Sequence, residues 1–155
     1  MVQKNNSKYV VQLRKDFEFC KKVFVYGTLK EGHGNNRLLS TSTFLTSTVT
    51  KDKDYILAEQ GCPVAIPYHK SNDLEVYPIS GEVHEVDEIS SFYYVDCLEG
   101  YPIMYDRKIV ETACGHTCWM YYMDIRNLSK DSMVCPVVDG AWHYPRDNWD
   151  KRKVG

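Results

Sequence analysis

The residue whose placement points most directly to chemistry is Glu99. On the helical wheel of a predicted helix over Glu88–Glu99, it falls between Phe92 and Val95, with Ile89 nearby, and so projects from the apolar face. It also lies in the last turn, where the exposed helix carbonyls disfavour a negative charge. Both effects raise the pKa of a carboxyl group toward the range used for proton transfer at neutral pH. Glu99 is therefore a candidate general acid or base.

Two structural alternatives account for the same position of Glu99. The side chain could bend to the surface at a frayed helix end, or it could form a structural ion pair with Arg107. Ion pairs inside proteins also perturb the pKa values of carboxylates. The spacing by itself leaves these alternatives open.

A second candidate is the loop that follows a short apolar strand. Val23–Tyr26 is a β-branched and aromatic run that ends at Gly27, as is typical of a buried strand entering a tight turn. The loop over Gly27–Asn36 is rich in residues that tolerate unusual backbone angles, namely Gly27, Gly32, Gly34, Asn35 and Asn36. It lacks the Gly-Lys-Ser/Thr ending of a phosphate-binding P-loop, which disfavours nucleotide hydrolysis.

A third cluster, in the segment from Cys114 to Cys118, places two thiols and His116 close together. A structural zinc site needs four ligands, and the sequence has no second close pair; Cys62 or Cys135 would complete the site only through tertiary contacts. We therefore interpret the segment as a hairpin turn and expect no metal. The five histidines show no metalloprotease or catalytic-triad spacing.

Composition bounds the class of protein. A chain of 155 residues with 43% apolar and 26% charged residues is typical of a single globular domain. The formal net charge of -2 provides no field to attract nucleic acid or an anionic membrane, so we expect a small-molecule partner. We find no signal peptide or membrane span in the sequence, and the six cysteines do not resemble a disulfide scaffold. These features predict a soluble, cytoplasmic protein with reduced thiols.

The scaffold that must position the candidates is predicted to be rich in strands. One firm helix is expected, with Asp87 as its capping residue, Gly100 as its end and Pro102 preventing its continuation. Further strands are predicted at Tyr55–Ala58, Val64–Ile66, Val76–Val86, Arg107–Thr112 and Cys118–Asp124, with a last hairpin around Asp139-Gly140. Because the strands come in runs and do not alternate with helices, we predict an α+β fold with a curled or closed sheet.

The first 21 residues fit neither a clean helix nor a clean strand pattern. We interpret residues 1–21 as an N-terminal extension and residues 22–155 as the domain itself. The sequence contains no internal repeat and no Pro- or Ser-rich linker.

Three segments resemble the γ-glutamylcyclotransferase-like (AIG2-like) family, and they occur in the family's order. The first is Val25–Lys30, which resembles the YGTL signature, and the second is Gly81-Glu82-Val83. The third is Val95–Pro102, which contains LEGYP and is followed by Tyr105 and Arg107. The resemblance covers about residues 22 to 124, and we expect it to extend to Trp142.

This resemblance implies a small α+β fold with a barrel-like sheet and one main helix, and catalysis without metal or cofactor. Glu99 matches the family's catalytic glutamate. The resemblance also implies that a γ-glutamyl group binds near Tyr26, Gly27, Thr28, Leu29, Lys30, Tyr105 and Arg107, with loop amides as hydrogen-bond donors. The implied reaction is intramolecular: the α-amino group of a γ-glutamyl amide attacks the γ-carbonyl, forms 5-oxoproline and releases an amine.

Two other classes of function remain open. One is a non-catalytic small-molecule-binding module on the same fold, since fold does not fix function. The other is an interaction protein in which the N-terminal extension acts and the pocket is vestigial. Measuring 5-oxoproline release from γ-glutamyl compounds distinguishes the enzyme from both.

Overall fold

The computed structural model describes residues 7–27, 29–32, 34–52, 55–59, 63–67, 78–127 and 133–134. In chain order, the elements are helix α1 (Ser7–Phe19), strand β1 (Lys22–Val25), a 3-10 turn (Asn36–Leu39), β2 (Thr43–Val49), β3 (Tyr55–Glu59), β4 (Pro63–Pro67), β5 (Ser80–Glu85), helix α2 (Ile89–Glu99), β6 (Asp106–Glu111), β7 (Thr117–Tyr122), a second 3-10 turn (Ile125–Asn127) and β8 (Met133–Val134). The α+β class predicted from the sequence is confirmed.

The main sheet has five strands in the order β2-β5-β1-β7-β6. Strand β1 lies at its centre, antiparallel to β5 with Val23 opposite His84, and parallel to β7 with Val23 opposite Trp119. Strands β6 and β7 form the expected hairpin around Gly115, whose φ is 94°. The loop after β1 therefore leaves the middle of the sheet.

A second sheet has the order β4-β3-β8. Its β3–β4 pair runs antiparallel, with Leu57 opposite Ala65. The backbone N–H of Met123, just beyond β7, donates to the carbonyl of Ala65 at 2.9 Å. This hydrogen bond attaches the small sheet to the end of β7, next to the loop that follows β1.

The two outer strands of the main sheet approach each other at one end. Thr50, just past β2, forms an isolated antiparallel bridge with Thr112, just past β6. Two backbone hydrogen bonds of 2.9 Å flank it, from Lys51 to Glu111 and from Ala113 to Val49. The sheet is thus curled but not closed along its length, so it is barrel-like only in a loose sense.

Alternating side chains of β1 contribute to two separate cores, as the two-residue period of a strand requires. Val23 and Val25 pack with Phe92 and Val95 of α2 on the helical side. Phe24 packs on the other side with residues of β3, β4 and β5. The helix is therefore supported by apolar contacts along the face from which Glu99 also projects.

Helix α2 confirms the predicted end but not the predicted start. Gly100 caps it in the left-handed conformation, with φ 65°, where a side chain would be strained. Asp87 is not its capping residue: Glu88 occupies that position in an extended conformation, and no side chain caps the backbone. The hydroxyl of Ser90 instead donates to the Glu88 carboxylate at 3.3 Å.

The N-terminal segment, whose sequence pattern predicted neither a clean helix nor a clean strand, contains a helix. Thirteen of its residues form α1, which buries Leu13 and places Tyr9 and Phe17 against the helical core. These three side chains recur every four residues and so share one face. Within the described residues, α1 is thus a helix that the sequence did not predict, in addition to the predicted main helix α2.

Helix α1 is also part of the folded body. Its Phe17 ring lies 6.2 Å from Phe92 of α2 between centroids. The indole N–H of Trp119 in β7 donates to the carbonyls of Asp16 at 3.3 Å and Cys20 at 3.0 Å.

The hairpin predicted around Asp139-Gly140 lies outside the described residues. No helix in the described part of the chain is long and apolar enough to cross a membrane.

Candidate active site

A cavity of about 200 Å³ lies between the loop after β1 and the end of α2. Its walls come from β1 and its loop, β4, α2, the segment before β6, and β7. The lining residues are Phe24, Val25, Tyr26, Gly27, Leu29, Asn35, Pro63, Leu98, Glu99, Tyr105 and Tyr121. Among the described lining residues, Glu99 is the one that carries a formal charge near neutral pH.

The Glu99 carboxyl group has an electrostatic environment unlike that of a surface glutamate. Burial, followed by the nearby negative charge of Asp96, raises its pKa from 4.5 to about 7. The residue as a whole is partly exposed, because it forms part of the cavity wall. Within the described part of the chain, no hydrogen bond or ion pair holds this carboxyl group. It is therefore available to a ligand.

The loop beside Glu99 is fixed at several points by hydrogen bonds. The N–H of Lys30 donates to the carbonyl of Gly27 at 3.0 Å and closes a turn. The Asn36 side chain donates to the Leu29 carbonyl at 2.9 Å, and the N–H of Glu31 donates to the Glu82 carboxylate at 2.9 Å. Glu82 belongs to the Gly-Glu-Val segment of β5. Two segments that are distant in the sequence therefore meet at this loop.

Gly27 is required by a close approach to the small sheet. A Cβ atom at this position would lie 2.6 Å from Cγ of Pro63 in β4, well inside van der Waals contact. In the described part of this loop, Gly32 has a positive φ angle, whereas Gly27 does not. Gly27 and Pro63 thus set the width of the cavity on this side.

The Tyr26 hydroxyl connects three elements around the cavity. It donates to the carbonyl of Tyr121 in β7 at 2.8 Å and accepts the N–H of Ala65 in β4 at 2.9 Å. Because Tyr26 is buried and immediately precedes Gly27, these bonds fix the start of the loop. Its contribution here is to hold the cavity wall in place.

Arg107 is committed to an ion pair, but its partners are not Glu99. Its guanidinium donates twice to the fully buried Asp96 carboxylate, from Nε at 2.9 Å and from Nη2 at 3.1 Å. Nη1 donates to Asp16 of α1 at 2.7 Å. The predicted alternative of a Glu99–Arg107 pair is therefore wrong. Arg107 does not line the cavity, so the structure does not bring it to the predicted substrate site.

Asp96 accepts two further hydrogen bonds, from tyrosine hydroxyls of two different elements. Tyr9 of α1 donates to Oδ2 at 2.7 Å, and Tyr121 of β7 donates to Oδ1. With the two bonds from Arg107, the buried carboxylate accepts four hydrogen bonds. Tyr121 lines the cavity and also donates a hydrogen bond to Asp96. The Asp96–Arg107 pair therefore lies directly behind this wall of the cavity.

Aromatic rings enclose the Arg107 guanidinium. Its Cζ lies 4.1 Å from the ring centre of Tyr101, 4.6 Å from Phe92 and 4.9 Å from Trp119. Arginine stacks well on aromatic faces because its guanidinium is planar and weakly hydrated. The surroundings thus favour a cation that stays in place.

The cysteine and histidine segment lies away from this cavity. Cys114 is exposed and Cys118 is fully buried in β7, so their side chains point to different environments. The ring of His116 lies 3.2 Å from Nζ of Lys22. The described residues contain no group of three or more side chains suited to hold a metal ion.

Comparison with known proteins identifies the family. The model described as "Gamma-glutamyl cyclotransferase, AIG2-like" matches residues 23–150. The chain belongs to this family. A protein of Drosophila melanogaster is 31% identical over 142 residues, which cover 86% of this chain and 87% of the relative. A protein of Methanocaldococcus jannaschii is 36% identical over 105 residues, which cover 64% of this chain and 82% of the relative. Both bear the name "Putative gamma-glutamylcyclotransferase".

Solved structures share the fold of this γ-glutamyl cyclotransferase, AIG2-like chain. An AIG2-like protein from mouse superposes with a TM-score of 0.55 at 23% identity, covering 66% of this chain and 76% of that one. An allophanate hydrolase from Kluyveromyces lactis gives a TM-score of 0.59 at 19% identity, covering 79% of this chain and 20% of the larger protein. At these identities the similarity establishes the fold alone.

Most of the site residues predicted from the family resemblance come together. Tyr26, Gly27, Leu29, Tyr105 and Glu99 all line the cavity, whereas Lys30 and Arg107 do not. Thr28 lies outside the described residues. Sequence reasoning missed Pro63, Asn35, Leu98 and Tyr121 as lining residues, as well as the buried Asp96. For Asp96 a signal was present, since an aspartate three residues before Glu99 lies on nearly the same helical face.

Proposed function

We propose that this chain converts a γ-glutamyl amide to 5-oxoproline and releases an amine or amino acid, with Glu99 as the general acid and base. The observation that carries the proposal is the Glu99 carboxyl group itself. It lies in a small cavity, without a partner among the described residues, and has a pKa raised to about 7 by burial and by Asp96. A catalytic group is most effective when its pKa is near the working pH.

The proposed reaction needs a group that alternates between two protonation states. The α-amino nitrogen attacks the γ-carbonyl carbon, so that a new C–N bond forms and the original amide C–N bond breaks. One proton leaves the attacking nitrogen, and one is delivered to the departing nitrogen. A carboxylate with a pKa of about 7 is present in both forms at neutral pH and can carry out both transfers.

The cavity suits a compact substrate group. Its volume of about 200 Å³ lies below the roughly 300–1,000 Å³ of sites for drug-sized ligands. A single glutamyl unit is of the appropriate scale. Within such a space the α-amino group and the γ-carbonyl are held in contact, which supplies much of the rate acceleration of an intramolecular reaction.

The loop after Tyr26 would stabilise the developing oxyanion. A glycine-containing turn presents backbone N–H groups to one side, as in known anion-binding nests. The turn closed between Gly27 and Lys30 lies at the cavity edge, and Asn36 and Glu82 hold its backbone in place. In this proposal no metal or cofactor takes part.

Release of 5-oxoproline across a panel of γ-glutamyl amines and γ-glutamyl amino acids tests the proposal. We expect Glu99→Gln to lower turnover by about 100-fold or more while ligand binding survives, because the amide keeps the shape but transfers no proton. Glu99→Asp should also lose most activity, since the shorter side chain withdraws the carboxyl group from both nitrogens. For the wild-type protein, kcat/KM should rise with pH through about 7 as Glu99 ionises.

Two outcomes would overturn the proposal. Turnover by Glu99→Gln at the wild-type rate would exclude this role for Glu99. Binding of the panel by both proteins, without product from either, would favour a non-catalytic binding module. Exposed Glu18, in the last turn of α1, provides a Glu18→Gln control with the same chemical change and an unchanged rate expected.

A further inference from the structure

Helix α1 lies before the residues that match the family, yet it supplies part of the structure around the cavity. The family match begins at residue 23, whereas α1 spans Ser7–Phe19. The helix is anchored by Leu13, which is only 5% exposed, and by the ring contact between Phe17 and Phe92. Its position relative to α2 is therefore fixed by packing before any polar contact is considered.

Two polar side chains of α1 complete the buried ion pair. Tyr9 donates its hydroxyl to Asp96 at 2.7 Å, and the carboxylate of Asp16 accepts from Arg107 at 2.7 Å. Asp96 and the Arg107 side chain are almost completely buried, and the Asp16 side chain is 13% exposed. Bonds to buried charged groups are among the stronger ones in proteins.

The ion pair is joined to the cavity at two points. Tyr121 lines the cavity and donates its hydroxyl to Asp96. Glu99 lies three residues after Asp96 on α2, so the two side chains are neighbours on the helix surface. A displacement of Asp96 or a change in its charge thus reaches both the wall and the acid/base candidate.

From this geometry we infer that α1 is a positioning element of the cavity, in which Tyr9 and Asp16 hold Asp96 and Arg107 in the arrangement that Glu99 and Tyr121 require. The inference deepens the proposed function and rests on it for its kinetic consequence. Its structural part concerns the environment of Glu99 and does not depend on turnover.

Charge within the network gives the inference a signed consequence. Asp16 and Asp96 supply two formal negative charges against the single positive charge of Arg107, so the network has one excess negative charge, and Asp96 is its member whose charge acts on Glu99. Asp16→Asn keeps an acceptor for Arg107 but removes that excess, so the pKa of Glu99 should fall. Tyr9→Phe keeps the ring but removes a donor from Asp96, so its negative charge is less compensated and the pKa of Glu99 should rise.

Other titratable groups facing Glu99 are left unchanged by both substitutions. They are Asp96 on α2, Tyr26 after β1, Tyr105 before β6 and Tyr121 on β7. Opposite shifts are thus the signature of an electrostatic positioning role. If α1 merely stabilised the fold, both substitutions would loosen the same contact and admit water. The pKa of Glu99 would then move in the same direction in both variants.

The test is an NMR titration of the carbon-13-labelled Glu99 carboxyl group in the full chain. We expect the midpoint to fall by about half a pH unit in Asp16→Asn, the effect of one charge at a partly screened distance, and to rise in Tyr9→Phe. Glu18→Gln removes the same charge from an exposed position on α1 and should leave the midpoint unchanged. Asp16→Glu, which restores the charge, should return the midpoint toward wild type.

Activity supplies the second readout. The acid limb of kcat/KM should follow the NMR midpoint in each variant. Equal midpoints in all variants, or shifts of the same sign in Asp16→Asn and Tyr9→Phe, would overturn the inference. If Asp16→Asn does not fold, the sign of the shift in Tyr9→Phe still decides. Shifted NMR midpoints in a protein that forms no 5-oxoproline would instead refute the proposed function and retain the inference.

Discussion

Replacing Glu99 by glutamine should make the protein more stable above neutral pH while it removes activity. In the folded state the pKa of Glu99 is raised from 4.5 to about 7, first by burial and then by Asp96. Between these values the unfolded chain has released the proton that the folded chain retains. Stability therefore falls as pH rises from about 4.5 to about 7 and stays lower at higher pH. Glutamine has no charge to desolvate and avoids this loss.

The size of the effect follows from the two pKa values. The interval from 4.5 to about 7 corresponds to roughly 3 kcal/mol, since each tenfold change in proton affinity is worth about 1.4 kcal/mol. Because Glu99 is partly exposed, its side chain can relax toward water, and we expect about 2–3 kcal/mol at pH 8. The gain should shrink as the pH is lowered toward 4.5 and vanish below it, where the folded and the unfolded chain both bind the proton.

Urea denaturation of wild type and Glu99→Gln between pH 4.5 and 9 measures this difference directly. Glu18→Gln is the matched control, since Glu18 also lies in the last turn of a helix but is exposed. Its difference from wild type should be small and nearly independent of pH. A Glu99→Gln protein that is less stable than wild type at pH 8, or equally shifted at every pH, would refute a carboxyl group destabilised by its surroundings.

Three further substitutions test the surroundings of the cavity. Gly27→Val should cost about 1–3 kcal/mol through overpacking against Pro63, and calorimetry should show a larger loss in ligand affinity than urea denaturation shows in stability. Arg107→Met leaves Asp96 buried without its counter-charge and should lower the unfolding free energy by about 3–5 kcal/mol; adding Asp96→Asn should recover part of it. Tyr26→Phe deprives the Ala65 N–H and the Tyr121 carbonyl of a partner; it should lower Tm, with a free-energy cost of about 1–3 kcal/mol per group.

Local signals explain why much of the fold and part of the site were predictable. The end of α2 is determined by Gly100 in a left-handed conformation, which a sequence reveals directly. The turn after β1 likewise begins at a glycine that follows four consecutive apolar residues. Glu99 was identifiable because it violates the pattern of its own helix, which buries Phe92 and Val95.

Other features depend on contacts that no local pattern encodes. Strand β2 is rich in threonine and serine and mostly exposed, so it lacks the apolar alternation that marks a half-buried strand. Helix α1 does carry a stripe of Tyr9, Leu13 and Phe17, but adjacent β-branched residues obscured it. Arg107 has two carboxylate partners, Asp96 at 11 positions and Asp16 at 91 positions along the chain. Sequence spacing therefore did not show that Arg107 pairs with these residues and not with Glu99.

The central position of β1 determines when the protein can complete its folding during synthesis. Its neighbours β5 and β7 begin at Ser80 and Thr117, far beyond Val25 where β1 ends. Pairings between such distant segments form slowly, because a long loop must close first. During synthesis, β1 cannot pair with its parallel neighbour β7 until β7 has been made. Strand β7 carries Tyr121, which is part of the cavity wall. A nascent chain thus contains the Gly27 turn and Glu99 before it has the strand that contributes Tyr121 to the cavity wall.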